Sequence, residues 1–358
     1  MARAVPQPLG LRPEGCCTRD RADVETKLLT SVNQGQSANT YVGKRVLITG
    51  GLGFIGLNLT TALRAMKAEI RILNRSWPPD PERSERVLEG VAFFKADIRD
   101  AVLVEEAVAG CDVIFHMAGK SGPAASNASP LEDLDVNARG MLTLLEACRQ
   151  ADPMPKIVFP SSRLVYSPSP SLPVAETCPT VPLSIYGVHK LTAERYLLLY
   201  QRLYGLRSTI LRITNPYGPF QRREQHSYGI VNWFIHQAMN GLPLTVYGSG
   251  SQQRDYVHIQ DVVQALLLAG LSDEADGDIF NVGSGSGLSF LQMAEVIVAS
   301  VKGASLRYVD WPADAAQVET GDFVADTSRI QSCLGWKASI PFSGGIEDVV
   351  ARYRELDQ

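Results

Sequence analysis

One stretch decides the fold of this 358-residue chain: Val46-Leu47-Ile48-Thr49-Gly50-Gly51-Leu52-Gly53-Phe54-Ile55-Gly56. A short apolar strand runs into glycines spaced GxxGxxG, and a helical pattern begins directly after them. Gly50 allows a tight turn, Gly53 lets the backbone approach a pyrophosphate, and Gly56 lets the helix pack closely on the sheet. The N–H groups of the first helical turn, at Phe54 and Ile55, and the positive end of the helix dipole then favour phosphates. The spacing in this context predicts a dinucleotide-binding turn.

Strand patterns alternate with helical patterns on the C-terminal side of this turn. Strands are predicted over residues 45–49, 69–73, 91–94, 113–115, 157–159 and 208–213. Helices are predicted over residues 54–66, 101–108, 131–149 and 185–204. Short strands that alternate with helices indicate βαβ units and a parallel sheet. The predicted fold class is therefore α/β, with a doubly wound parallel (Rossmann) sheet in residues 43–213.

The composition of the sequence changes after the last of these strands, and residues 215–229 are rich in turn-forming residues. Helices are predicted over residues 230–239, 262–271, 290–301 and 345–353. We expect residues 214–255 and 273–358 to form a smaller, loop-rich C-terminal domain that holds a substrate. Residues 256–272 are expected to pack back on the first domain.

The composition argues against several classes of function. Lys and Arg number 34 and Asp and Glu number 38, a net charge of −4, whereas a general nucleic-acid binder needs a basic stripe. No apolar run approaches the length of about 20 residues that spans a bilayer, so no membrane partner is expected. The six cysteines include no CxxC pair, which argues against a zinc site or a disulfide framework. No metal is expected.

Residues 1–42 are polar and lack periodicity, and we expect them to form a flexible N-terminal extension. They contain no apolar block typical of a secretory signal, and acidic residues such as Glu14 and Asp20 argue against an organelle-targeting peptide. A cytoplasmic protein of a reducing compartment is therefore expected.

The second strand ends in Asn74, followed by Arg75, where dinucleotide sites usually carry a carboxylate. Asn74 can still bond a ribose hydroxyl, but it does not repel a 2′-phosphate as Asp or Glu would. Arg75 could pair with such a phosphate, or it could simply be solvated. The choice between NAD and NADP is therefore open.

Three polar side chains form the candidate catalytic group. Ser162 follows the fifth strand, at the edge of the sheet where ligands bind. Tyr186 and Lys190 are four residues apart and share one face of a helix. The ordinary pKa of Tyr is about 10, and a neighbouring ammonium and a cationic nicotinamide would favour its phenolate. Tyr186 could then take or give the proton of a sugar hydroxyl. His189 is one position off this face, and we expect it to be structural.

Further motifs accompany these residues along the chain. They are, in order, an Asp97-x-x-Asp100 pair, HMAG (116–119), SSRLVY (161–166), YGVHK (186–190), LRITNPYGP (211–219), GSGSQQRDYVHIQD (248–261), FNVGSG (280–285) and DTSRIQSCLGW (326–336). Together with GGLGFIG (50–56), this set resembles extended short-chain dehydrogenases/reductases of the NAD-dependent epimerase/dehydratase family. The pattern is close to that of nucleotide-sugar (UDP-glucose type) 4-epimerases, and the likeness covers about residues 44–340.

The resemblance implies a cofactor, NAD(P), and positions for it. Beyond the glycine-rich turn and Asn74-Arg75, the residues expected to contact the cofactor are Asp97, Ile98, Met117, Ala118, Gly119, Tyr186 and Lys190. Asp97 and Ile98 should lie along the adenine, and residues 117–119 should lie near the phosphates and ribose. Lys190 should grip the nicotinamide ribose.

The resemblance also implies a nucleotide-diphosphate sugar as substrate. The residues expected to contact it are Lys120, Ser162, Asn215 and Arg254. Ser162 should bond the reacting sugar oxygen and Tyr186 should be the catalytic acid/base, while Asn215 and Arg254 should contact the diphosphate. The helices predicted over 131–149 and 185–204 resemble the dimer interface of the family, so a homodimer is expected.

Two positions depart from the family pattern. Family dehydratases follow the catalytic Ser or Thr with Asp-Glu, which drives loss of water, whereas this chain has Arg163-Leu164, so 4,6-dehydration is not expected. Family epimerases place an Arg shortly before a Gly-Asp near the C-terminus, where it touches the diphosphate. Here Glu319 stands near that position and would repel a diphosphate; Arg307 or Arg222 could substitute for the missing contact.

The sequence therefore favours 4-epimerisation through a transient 4-keto sugar, with hydride transfer to and from nicotinamide. Asn74-Arg75 leaves an NADPH-dependent nucleotide-sugar 4-ketoreductase as an alternative. A non-catalytic, NAD(P)-sensing binding protein is an alternative from another class, but such a protein would not need Ser162, Tyr186 and Lys190 together.

Overall fold

A seven-stranded sheet lies at the centre of the structure, a computed structural model that describes residues 41–77, 88–168, 171–221, 229–311 and 321–356. In chain order the strands are β1 (Arg45–Thr49), β2 (Glu69–Asn74), β3 (Ala92–Lys95), β4 (Val113–His116), β5 (Lys156–Ser162), β6 (Ser208–Ile213), β7 (Asn215–Tyr217), β8 (Leu244–Tyr247), β9 (Gln253–His258), β10 (Ile279–Val282), β11 (Gly287–Ser289) and β12 (Leu306–Val309). The helices are α1 (Phe54–Ala65), α2 (Ala101–Val108), α3 (Pro123–Ala128), α4 (Pro130–Leu134), α5 (Gly140–Gln150), α6 (Ile185–Tyr204), α7 (Ile230–Met239), α8 (Ile259–Leu271), α9 (Phe290–Ser300), α10 (Ser328–Leu334) and α11 (Phe342–Leu356). The extension expected over residues 1–42 lies almost entirely outside the described residues.

The large sheet has the order β10-β6-β5-β4-β1-β2-β3, and every pairing in it is parallel. The strand order reverses between β1 and β4, where Thr49 pairs with His116. In open α/β sheets, ligands bind beyond the carboxyl ends of the strands at such a reversal. The predicted fold class, a doubly wound parallel sheet, is confirmed.

Both faces of the sheet are covered, which explains why its strands read as nearly continuous apolar runs. Successive residues of β1 point to opposite faces: Val46 and Ile48 join a buried cluster with α1 and α8, and Leu47 joins a second cluster with α2, α5 and α6. Burying each such aliphatic side chain stabilises the fold by about 1.5–3 kcal/mol relative to leaving it exposed.

The C-terminal part of the chain contributes to the large sheet and also builds smaller ones. β10 pairs with β6, and α8 shares a buried cluster with α1. A three-stranded sheet, β11-β9-β7, and a two-stranded sheet, β12-β8, lie beside a third apolar cluster formed largely by α7, α9 and α11. The division into a cofactor domain and a substrate domain stays a prediction. Within the described ranges, no helix is long and apolar enough to cross a membrane.

The helix predicted over residues 131–149 is interrupted. The helical run begins at α4, passes through a π-helical turn at Asp135–Arg139, and continues as α5. A separate short helix, α3, precedes it and was not predicted. Hydrophobic periodicity cannot show a π turn, because one wider turn leaves the apolar spacing of the flanking segments intact. The turn begins two residues after Asp133, which lies on α4, and it contains Asn137; both residues border the site described below.

Candidate active site

The glycine-rich turn joins β1 to α1 and lies against the segment that follows β4. Gly50 has a φ of 69°, in the left-handed region, and its N–H donates to the Leu73 carbonyl over 2.7 Å. A Cβ on Gly50 would lie 2.6 Å from the backbone nitrogen of Ala118, and a Cβ on Gly56 would lie 2.7 Å from the Gly50 oxygen. Only glycine fits these two close approaches.

The first turn of α1 fits a pyrophosphate. Its N-cap is Gly53, in extended conformation, and no side chain in the described part of the chain caps this end of the helix. The N–H groups of Phe54 and Ile55 are therefore the donors that a phosphate would use, at the positive end of the helix dipole. A Cβ on Gly53 would meet only the Gly50 oxygen, at 3.2 Å, among the described atoms. The chain's own residues thus fit the phosphates of a dinucleotide.

Thr49, which sequence reasoning did not single out, ties the end of β4 to this turn. Its hydroxyl lies 2.8 Å from Nδ1 of His116 and accepts the N–H of Ala118 over 3.2 Å. Thr49 and His116 are buried, and burial, with the charge of Lys190, lowers the pKa of His116 to about 3. The imidazole of His116 and the Thr49 hydroxyl therefore share a hydrogen bond at Nδ1. This pair fixes residues 117–119 beside the glycines.

Charged side chains cluster where the adenosine of the cofactor is expected to bind. Asp97 accepts from Nε of Arg99 over 2.8 Å and from its Nη2 over 2.9 Å, and this hydrogen bonding lowers the pKa of Asp97. Arg99 also lies 3.5 Å from Asp135. Ile98, between the two paired residues, is buried. Sequence reasoning identified Asp97 and Ile98 but missed Arg99.

Asn74 ends β2, where the ribose is expected. Its Nδ2 donates to the Ser76 carbonyl over 2.8 Å, so Oδ1 is the atom that would accept from a ribose hydroxyl. Arg75 is exposed, and its charge adds a small contribution, after that of Arg99, to the lowered pKa of Asp97. Arg75 therefore lies close enough to Asp97 for the two charges to interact.

Tyr186 and Lys190 meet at the start of α6, as their spacing predicts. The N–H of Tyr186 donates to Oγ of Ser126 over 3.0 Å, which fixes the first turn of the helix against α3. The Lys190 ammonium donates to the Pro160 carbonyl over 2.9 Å and lies 5.8 Å from the centre of the Tyr186 ring. Ser162 ends the same strand two residues later and accepts from a backbone N–H. All three candidate catalytic residues therefore lie at the carboxyl edge of the sheet.

The Lys190 side chain is buried beneath this edge. Its ammonium lies 4.5 Å from the centre of the Phe159 ring. Burial lowers the pKa of Lys190 to about 8, and the charges of Asp133 and then Glu194 act in the opposite direction. A cation in this position can stabilise a phenolate on Tyr186.

A closed ion pair lies next to Lys190 along the helix. Glu194 accepts from Nε of Arg212 over 3.0 Å and from its Nη2 over 2.7 Å, and the Ser161 hydroxyl donates to Glu194 over 2.5 Å. Both charged side chains are almost fully buried. Because breaking a buried pair leaves an uncompensated charge, these residues hold α6 on the sheet.

A second buried network links α4 and the π turn to α6. Nδ1–H of His189 donates to Asp133 over 2.6 Å, and Nδ2 of Asn137 donates to the same carboxylate oxygen over 3.0 Å. Oδ1 of Asn137 accepts the N–H of Lys120 over 3.0 Å, and Nζ of Lys120 lies 2.6 Å from Glu132. Sequence reasoning took His189 as structural and did not single out Asp133 or Asn137, since neither belongs to a spacing motif.

The two expected diphosphate contacts are attached to the small sheet. Nδ2 of Asn215 donates to the Asp255 carbonyl over 2.8 Å. Nη1 of Arg254 donates to the carbonyls of Gln253 and Gly321, over 2.8 Å and 2.7 Å. Both side chains are partly exposed. Their contact with a diphosphate, like that of Lys120, stays a prediction.

A pocket opens beyond the end of β5. Six of the residues that line it are Arg163, Leu164, Tyr166, Ser184, Asp322 and Phe323. The Arg163 guanidinium lies 5.5 Å from the centre of the Phe323 ring. Glu319 and Arg222 lie outside the described residues, and Arg307 donates to the Thr245 hydroxyl over 3.2 Å.

Comparisons with known proteins identify the family to which the chain belongs. The sequence model of the NAD dependent epimerase/dehydratase family matches residues 46–283. The UDP-glucose 4-epimerase of Mycolicibacterium smegmatis is 32% identical over 88% of this chain and 100% of its own length, and the dTDP-glucose 4,6-dehydratase of Streptomyces niveus is 29% identical over 87% and 93%. The structure of Thermus thermophilus UDP-glucose 4-epimerase in complex with NAD has a TM-score of 0.77 at 32% identity, covering 87% of this chain and 99% of that one. The chain belongs to the NAD-dependent epimerase/dehydratase family, whose members here act in nucleotide-sugar chemistry.

Proposed function

We propose that the chain is an NAD(P)-dependent nucleotide-sugar 4-epimerase. The observation that carries the proposal is the buried Lys190 ammonium beside the Tyr186 ring. It donates to the carbonyl of Pro160, which precedes Ser162 by two residues at the end of β5. This group suits proton transfer to and from a sugar hydroxyl, and it shares one edge of the sheet with the glycine-rich turn. Similarity to proteins named UDP-glucose 4-epimerases supports the same reaction class.

In the proposed mechanism, Tyr186 transfers the proton, and Lys190 and Ser162 assist it. Tyr186 takes the proton of the sugar 4-hydroxyl at Oη, because the charge of Lys190 stabilises its phenolate. Ser162 donates a hydrogen bond to the same sugar oxygen and orients it. A bound nicotinamide would supply the acceptor, and later the donor, of the hydride that leaves and returns to C4 of the sugar. The 4-keto sugar turns in the pocket, and Tyr186 returns the proton to the oxygen once the other face has reacted.

Dehydration is a less favoured reaction for this site, although one relative is a 4,6-dehydratase. Loss of water needs an acid and a base near the sugar, and Arg163-Leu164 supply neither directly after Ser162. Asp322 is the carboxylate that lines the described part of the pocket, and it accepts the N–H of Gln253 over 2.8 Å. That bond supports a structural role for Asp322.

A 4-ketoreductase that consumes NADPH is the second candidate, and the residues at the end of β2 favour it. Asn74 places no negative charge beside a 2′-phosphate, and Arg75 is exposed on the side of Asp97. We infer that the chain accepts both NAD and NADP. The joint presence of Ser162, Tyr186 and Lys190 argues against a non-catalytic NAD(P)-sensing protein.

We also infer a homodimer that pairs the helices next to the site. Three exposed apolar side chains follow one side of α6: Val188, Leu199 and Leu203, at 44%, 46% and 57% exposure. Leu131 and Leu134 on α4 are 76% and 42% exposed. Apolar residues repeated along neighbouring helices are typical of a self-association surface.

One assay separates the candidate functions. The full-length protein is incubated with UDP-, dTDP- or CDP-glucose and catalytic NAD, and the products are resolved by chromatography. An epimerase converts one of these sugars to its 4-epimer with no net change in NADH absorbance. Stoichiometric oxidation of NADPH on a 4-keto nucleotide sugar, without epimerisation, would assign the ketoreductase instead.

A further inference from the structure

The buried Lys190 ammonium requires a counter-charge, and the described structure offers two carboxylates near it. Besides two aromatic rings, Lys190 contacts the Pro160 carbonyl, which is neutral. Two carboxylates lie near it: Asp133 bonds His189, the residue directly before Lys190, and Glu194 lies one turn further along α6. The charges of both act on Lys190. A buried charge without compensation is costly, so at least one of them must balance Lys190.

Glu194 is already neutralised. Its two oxygens accept the paired nitrogens of the Arg212 guanidinium, and the Ser161 hydroxyl donates to one of them. A bidentate pair of this kind is a closed unit with no net charge. The balance for Lys190 must therefore come mainly from Asp133.

Asp133 is not neutralised in this way. Its side chain is 1% exposed, and its hydrogen bonds come from His189 and Asn137 to Oδ1. Within the described ranges, no Lys or Arg lies at ion-pair distance from it, and Oδ2 is buried without a hydrogen-bond partner. Asp133 is thus a buried carboxylate, fixed by side-chain donors, that lies directly beside the helix carrying Lys190. Its negative charge is available to balance the Lys190 ammonium.

We propose that Asp133 is a positioning residue of the active site: its carboxylate, oriented by His189 and Asn137, is the counter-charge that keeps the Lys190 ammonium charged beside Tyr186. The catalytic meaning of this pairing rests on the proposed function. The other titratable groups that face Lys190 are Glu194 and Tyr186 on its own helix and His116 on β4. Those that flank Asp133 are His189, which bonds its carboxylate, and Lys120 and Glu132, which pair with each other.

The direction of the effect follows from charge. Burial already lowers the pKa of Lys190 to about 8. Removing the negative charge of Asp133 favours the neutral amine further, so the midpoint of the Lys190 titration falls. Opposite charges at close range shift such midpoints by about one to three pH units. Catalysis that needs a cationic Lys190 would then fail at a lower pH.

The test is a direct titration of Lys190 that needs no substrate. The full chain is isotopically labelled at the lysine ε-carbon, and Lys190→Arg identifies the resonance. We expect its midpoint near pH 8 in the wild type and at least about one pH unit lower in Asp133→Asn. Glu146→Gln is the matched control, because Glu146 is also a carboxylate that bonds α6, at Tyr200, but far along the helix; it should not move the midpoint.

His189 supplies a second variant should Asp133→Asn fail to fold. His189→Leu removes the 2.6 Å hydrogen bond that orients the Asp133 carboxylate, so the midpoint of the Lys190 titration should move in the same direction by a smaller amount. His189→Gln restores a donor and should return the midpoint towards the wild-type value. A folded Asp133→Asn protein with an unmoved midpoint would overturn the inference; if that variant does not fold, an unmoved midpoint in His189→Leu would do so.

A kinetic measurement separates the two proposals. The alkaline limb of kcat/KM should move to lower pH in Asp133→Asn by the same amount as the resonance. Normal turnover with unmoved midpoints would overturn this inference and leave the proposed function intact. Absent turnover in the wild type, with the resonance shifting as expected, would overturn the proposed function and leave the charge pairing.

Discussion

Tyr186 is the residue on which the proposed chemistry depends most. Tyr186→Phe keeps the ring near Lys190 and removes the atom that transfers the proton. Turnover should fall by about 10² to 10⁴, the usual contribution of a positioned acid or base. NAD binding should persist, because the glycine-rich turn and Lys190 are unchanged.

Ser162→Ala should reduce turnover less than Tyr186→Phe does, since one hydrogen bond is lost and the base remains. Steady-state turnover and a cofactor titration check both variants; turnover near the wild-type value in Tyr186→Phe would rule out its role.

Asn74 is the residue that we expect to govern the choice between NAD and NADP. Its Nδ2 is bonded to the Ser76 carbonyl, so it presents an acceptor without a charge. Asn74→Asp should weaken NADP binding and leave NAD binding nearly unchanged. Charged hydrogen bonds contribute about 1.5–3 kcal/mol, so the preference should shift by about tenfold to a hundredfold, with Arg75→Ala moving it the same way. Titrating both cofactors tests this, and a wild type that excludes NADP as strongly as Asn74→Asp does would contradict it.

The strand–turn–helix element carries the cofactor site, and its glycines can be tested in pairs. Gly50 and Gly43 both have φ near 70°. A Cβ at Gly50 would meet the Ala118 backbone at 2.6 Å, whereas no atom of the described residues lies within 4 Å of a Cβ at Gly43. Alanine at either position should cost about 1–2 kcal/mol of stability through the left-handed backbone. Only Gly50→Ala should also abolish NAD binding. Thermal unfolding and NAD titration compare the two variants; equal NAD affinity in both would show that the close approach to Ala118 does not matter.

Elements whose sequence carries a strong local signal were predictable, and those set by tertiary contacts were not. The apolar period and flanking turn residues predicted α6 and α7 with their observed bounds. The π turn at Asp135–Arg139 has no such signal, because it is specified by side chains that meet only in the fold. For the same reason spacing identified Tyr186 and Lys190, whereas Thr49 and Asp133 act through partners 67 and 56 residues away.

At the scale of the whole molecule, the exposed apolar side chains of α4 and α6 predict a dimer. Leu199→Glu combined with Leu203→Glu places charges on this surface and should yield a monomer. Val102→Glu is the control, because Val102 is equally apolar and 73% exposed but lies on α2. Light scattering measures the masses. A wild type that is monomeric at micromolar concentration, or a double variant that stays dimeric, would contradict the proposed interface.

We propose that oxidation at C4 of the sugar is reversed on the same sugar molecule. A deuterium label at this carbon tests that reversal directly. UDP-, dTDP- and CDP-glucose, each deuterated at C4, are incubated with the full chain and catalytic NAD, and product and cofactor are analysed by mass spectrometry. We expect that one of these sugars is converted to its 4-epimer with the deuterium retained at C4 and no reduced cofactor released. Deuterium lost to water, deuterium accumulating in released cofactor, or no epimer from any of the three sugars would contradict it.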